Sequence, residues 1–114
     1  MESSSETEKA QKIARLNDEL RKTFTTGRVV MTRGFEALEG TTWIKAIKAV
    51  RDFSAFTLGN DPYGEHDFGL LEVDGIPLIW KIDYYDLGLG SHSPDPADPT
   101  VTKRVLTMML AEEY

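Results

Sequence analysis

Asp74-Gly75 lies between two apolar runs, and it constrains the fold of this chain more than any other feature. Asp-Gly favours a two-residue hairpin loop, because both central residues of that turn adopt positive φ. A loop of that length sets the pairing of residues 65–73 with residues 76–85. On one side of the ribbon Val73 faces Ile76, Leu71 faces Leu78, Gly69 faces Trp80 and Asp67 faces Ile82. The other side pairs Glu72 with Pro77, Leu70 with Ile79, Phe68 with Lys81 and His66 with Asp83. The missing side chain of Gly69 leaves room for the Trp80 indole. Pro77 has no N–H to donate, so the return strand should begin as an edge.

The remaining elements are read outward from this ribbon. Ser5 and Glu8 have capping-box spacing, and a helix should follow to about Phe24. Its apolar stripe is Ile13, Leu16, Leu20 and Phe24, with Asp18 and Lys22 as an outward i,i+4 pair. Gly27 is the expected stop, and residues 28–32 read as a short β-branched strand. Residues 35–39 suggest one helical turn. Thr41 or Thr42 should cap a second helix ending near Phe56. It turns Trp43, Ala46, Ile47, Val50 and Phe53 inward and Lys45, Lys48 and Arg51 outward. A long loop over residues 86–99 closes with Asp98 as cap and Pro99 opening a last helix that runs to about Glu113. The fold class is therefore α+β, in the order α-β-α-β-β-α. A small antiparallel sheet, the central hairpin plus one further strand, is packed by about three helices in a single domain over residues 1–114. Residues 1–5 are expected to be frayed.

Composition narrows the function. The chain has no cysteine, which excludes disulfides and thiol chemistry. The polar start, Met1-Glu2-Ser3-Ser4-Ser5, is not a secretion signal, and no apolar run reaches the roughly 20 residues of a membrane span. A cytoplasmic location is expected. The net charge of −6 is unevenly spread, at +2 over residues 1–60, −8 over residues 61–98 and zero beyond. Such a segment does not grip phosphates, so direct nucleic-acid binding is not expected. It suits cationic protein surfaces.

Candidate chemistry gathers at the start of that segment. Asp61, Glu65, His66 and Asp67 offer carboxylates and an imidazole. Strand alternation puts Glu65 and Asp67 on one face and His66 on the other, so the four do not all converge on a metal unless the strand begins later, after His66. No metal or other cofactor is expected. His66 opposite Asp83 would orient an imidazole for general-base work, or simply close the mouth of the hairpin. The catalytic candidates are thus His66, Asp83, Glu65 and Asp67, as in a small metal-dependent hydrolase or acid/base enzyme. The candidate partner-binding set is Asp61, Tyr63, Glu65, Asp67, Asp83, Tyr85, Asp86, Asp95 and Asp98. Carboxylates spaced along a rigid edge can occupy a site built for DNA phosphates.

Three runs carry a family resemblance: residues 61–69 (DPYGEHDFG), 80–86 (WKIDYYD) and 93–99 (SPDPADP). Together with IARLND at 13–18 and MLAEEY at 109–114, they resemble a bacterial family of unknown function, domain of unknown function 3768. The resemblance implies an occurrence in alphaproteobacteria, often on plasmids and other mobile elements. It implies no activity and no catalytic residue. It suggests a small acidic inhibitor of host defence, whose partner would be a basic, nucleic-acid-binding host protein.

Overall fold

The computed structural model describes residues 2–114, with side chains described from Ser5. Helix α1 (Glu2–Thr23) leads into strand β1 (Arg28–Met31), the single turn α2 (Arg33–Glu36) and helix α3 (Gly40–Asp52). Strands β2 (Phe68–Val73), β3 (Ile76–Tyr85) and β4 (Lys103–Leu110) follow, with a closing 3₁₀ turn at Ala111–Glu113. They form an α+β domain with one sheet, ordered β1-β4-β3-β2. Each of β3's neighbours is antiparallel to it, whereas β1 lies parallel to β4, pairing Arg28 with Val105 and Met31 with Met108. The sheet is mixed and has one strand more than the sequence suggested.

That strand is β4, read above as a helix from Pro99. Its apolar run satisfies both periodicities, but alternation decides. Arg104, Leu106 and Met108 are buried toward the helices, while Val105 and Thr107 between them are only half-buried. Asp98 does cap, but it caps a turn, accepting from the Thr100 N–H at 2.9 Å. The hairpin register holds pair by pair from Val73–Ile76 to Phe68–Lys81. Pro77 precedes the first β4 pair, Leu78–Leu110, so β3 does begin as an edge.

Helix α1 packs over β4 and helix α3 over β2, side by side. Between them and the sheet lies the core, with Leu20, Ala46, Val50, Leu78, Trp80 and Leu106 fully buried. Ile79 and Met109 are buried on the opposite sheet face, where the Tyr114 ring meets Phe68 at 5.8 Å. Three local details differ from expectation. Phe24, at φ 61°, ends α1 in the left-handed region that Gly27 was expected to supply. Helix α3 is capped by the Glu39 carboxylate, accepting from the N–H groups of Thr41 and Thr42, and it stops at Asp52. Ser5 lies inside α1 and does not cap it. The frayed start expected at residues 1–5 falls where Met1 and the side chains of residues 2–4 lie outside the described residues.

Candidate functional site

Between α3 and β2, residues 53–67 form an irregular loop that its own side chains hold. Asn60 Oδ1 accepts from the Thr57 N–H at 2.8 Å, and Asn60 Nδ2 donates to the Ala55 carbonyl at 2.9 Å. Asp61 is buried and accepts from the His66 N–H at 3.2 Å, closing a tight turn around Gly64. His66 itself sits at φ 56°.

This left-handed residue removes the expected pair with Asp83. The ribbon continues to Asp67, whose carbonyl accepts from the Ile82 N–H at 2.8 Å, and then the chain turns toward α1. The His66 ring stacks flat on Phe56, with centroids 3.9 Å apart and planes 2° apart. Its Nδ1 lies 3.0 Å from Asp18 Oδ1, and its Nε2 lies 3.7 Å from Asp61 Oδ2. Asp83 is level with Val105 and pairs with Lys81. No His–Asp dyad forms across the hairpin mouth.

Behind His66 lies a buried polar network that sequence reasoning missed. Asn17 is fully buried. Its Nδ2 donates to the Glu65 carbonyl at 3.0 Å and to Tyr84 Oη at 2.8 Å, and its Oδ1 accepts from Arg104 Nε at 2.9 Å. Tyr84 in turn donates to Glu65 Oε1 at 3.0 Å. Arg21 donates to the Val50 and Arg51 carbonyls and to Asp18, so Asp18 serves His66 and Arg21 rather than Lys22. The Arg21 guanidinium also lies 4.9 Å from the Trp80 ring, a desolvated cation–π contact worth about 2 kcal/mol. Burial pulls both arginines' pKa values down and pushes the Tyr84 hydroxyl up. One signal for this network existed in the sequence: Asn17 and Arg21, four residues apart, interrupt the inward stripe of Ile13, Leu20 and Phe24.

The predicted site residues are dispersed. Asp67, Asp83 and Tyr85 come together around a cavity of about 300 Å³, joined by Ile82, Tyr84 and His92. Tyr63 and Glu65 line a separate groove of about 710 Å³ against Lys9, Ala10 and Ile13 of α1. Asp95 pairs with Lys9 at 3.3 Å, Asp86 accepts from the Gly90 N–H at 3.0 Å, and Asp98 holds Thr100. Asp74, in the hairpin turn, pairs with Lys45 at 3.1 Å.

Asp67 is the electrostatic focus. Its carboxyl is half-buried, and loss of hydration followed by the negative charge of Glu65 raises its pKa, with smaller contributions from Asp61 and Asp83. Among the described residues, no group of three or more His, Asp or Glu is arranged to hold a metal ion. No described helix is long and apolar enough to cross a membrane.

Residues 31–113 match the model of a family described as a protein of unknown function, DUF3768. The chain belongs to this family. The match begins in β1, so Asn17, Asp18 and Arg21 reach the network from outside the matched residues. No curated protein and no solved structure matches the chain.

Proposed function

We propose that this family member is a small cytoplasmic interaction protein that binds a basic, nucleic-acid-binding protein through the carboxylates of residues 61–98. One observation carries the reading: the half-buried Asp67 lines a cavity with Asp83, Tyr85 and His92, and there lost hydration first, then the nearby charge of Glu65 and, less, of Asp61 and Asp83, raises its pKa. A cation brought by a partner to the Asp67–Asp83 cavity offsets that negative charge and is favoured there. Tyr85 and the exposed His92 at the same cavity supply flat surfaces on which a guanidinium stacks. The segment is partly neutralised from within, since Asp74, Asp83 and Asp95 each have a lysine partner. Asp67, which forms no ion pair among the described residues, is therefore the carboxylate at which the binding surface centres. Inhibition of a host defence protein is the role such a surface fits in a mobile-element setting.

The test is a titration of the ¹⁵N-labelled protein with a short arginine-rich peptide. The amides of Asp67, Asp83, Tyr85 and His92 should shift, and affinity should fall at least tenfold between about 50 and 500 mM salt. Asp67→Asn should weaken binding. Affinity that ignores salt, or shifts confined to other surfaces, would refute the proposal.

A further inference from the structure

The opposite charge is concentrated elsewhere. A cavity of about 620 Å³ lies between the segment that follows α1 and the loop that leads into β4. Its charged lining residues are Arg28, Lys103 and Arg104, and no acidic residue lines it. In a chain of net charge −6, this grouping is not a reflection of overall composition. Thr25, Thr26 and Thr102 add hydroxyl groups, and Leu87 and Leu89 form an apolar lip.

The nearest carboxylates in sequence are turned into their own loops. Asp86 accepts from the Gly90 N–H, and Asp98 accepts from the N–H and hydroxyl of Thr100. Arg28 and Lys103 are exposed, and neither forms an ion pair among the described residues. Arg104 is different in kind. It is 4% exposed, and its Nε and Nη2 donate only to neutral oxygens, those of Asn17 and Pro96. It too lacks an ion pair among the described residues. The Glu65 carboxylate acts on it only from a distance and does not offset the cost of its burial, so a further anion close by is favourable.

We propose that this cavity binds a small organic oxyanion, a phosphate ester or a carboxylate. Arg28 and Lys103 make direct contact with the anionic group, while Arg104 adds positive field from the cavity wall. The ligand's carbon skeleton lies on Leu87 and Leu89. The geometry favours an oxygen-rich group with two acceptors side by side, because the exposed Arg28 guanidinium donates a parallel pair of N–H groups. A volume of this size accommodates a metabolite-sized ligand. The site uses none of the residues of the acidic cavity, so the two readings stand or fall separately.

The experiment is an amide chemical-shift titration of the full chain with inorganic phosphate, phenyl phosphate and benzoate. Shifts are expected at Thr26, Gly27, Arg28, Thr102 and Lys103, with saturation near about 1 mM for the preferred probe. The two phenyl probes should also move Leu87 and Leu89. A stronger response to phenyl phosphate identifies a phosphate ester as the ligand class, and a stronger response to benzoate a carboxylate. The double variant Arg28→Gln/Lys103→Gln changes two exposed side chains. It should melt as the parent does and bind about tenfold more weakly. Lys45→Glu, on the far side of α3, should leave the response intact. The proposal is overturned if no probe moves these amides, or if parent and double variant respond alike.

Discussion

Gly69→Ala is a small change with a calculable cost. A Cβ built on Gly69 would lie 2.1 Å from Trp80 Nε1 and 2.6 Å from Cε2. The indole cannot retreat easily. It is fully buried, with Phe53 edge-on at 5.6 Å, Phe56 at 6.1 Å and the Arg21 guanidinium at 4.9 Å. Overpacking usually costs about 1–3 kcal/mol, and a clash with an enclosed ring belongs at the top of that range, roughly 3 kcal/mol. Unfolding entropy near 2.1 cal/mol/K per residue amounts to roughly 240 cal/mol/K for a chain of 114 residues. The melting temperature should therefore fall by about 12 °C. The assay is thermal and urea unfolding followed by circular dichroism, repeated in a Trp80→Phe background. Phenylalanine removes the atoms that the new methyl group strikes, so the alanine should cost about 1–2 kcal/mol less there. A loss under about 1 kcal/mol, or equal losses in both backgrounds, would show that the Gly69–Trp80 contact does not set the packing.

Two further outcomes test the polar interior. Asn17→Leu keeps the shape but strands Arg104 Nε and two other partners, and should cost about 3–4 kcal/mol in urea unfolding; Asn17→Asp, which retains the Arg104 acceptor, should cost less. Asp67→Asn should raise the melting temperature at pH 7. Because the Asp67 pKa is raised by folding, the native state holds its proton longer than the unfolded chain, and stability is lost as pH rises through the folded value. Below the ordinary carboxylate range Asp67 is protonated in both states. A pH series should therefore show the gain vanishing toward pH 3, and a gain independent of pH would refute the cause given.

The hairpin was legible because its information is local. A two-residue turn and a period of two determine every pair from Val73–Ile76 to Phe68–Lys81. Legibility ended one residue beyond Asp67. The conformation of His66 depends on Asp18, Asp61 and Phe56, and Asp18 lies 48 positions away in sequence. The acidic segment was visible as composition, but its internal neutralisation was not, because Lys9 and Lys45 come from two different helices. β4 was misread because Val101, Val105, Met108 and Met109 fit a helical stripe. Only a neighbour on each side, β1 and β3, reveals a central strand. Arg104 could not be recognised as buried until β4 was known to be a strand, since a helix would turn it elsewhere.

The parallel pairing of β1 with β4 also imposes an order on folding. A chain leaving the ribosome produces α1 and β1 well before β4, and β1 has no strand partner until residues 103–110 have emerged. The β2–β3 hairpin can form in the meantime, because its strands are contiguous. Asn17 likewise waits for Arg104, 87 positions later. The nascent chain thus holds an amphipathic helix and an unpaired strand until β4 has been made. Closing that long loop is the step expected to limit the folding rate, and a translational pause before residue 103 would prolong exposure of Val29 and Met31 to other chains.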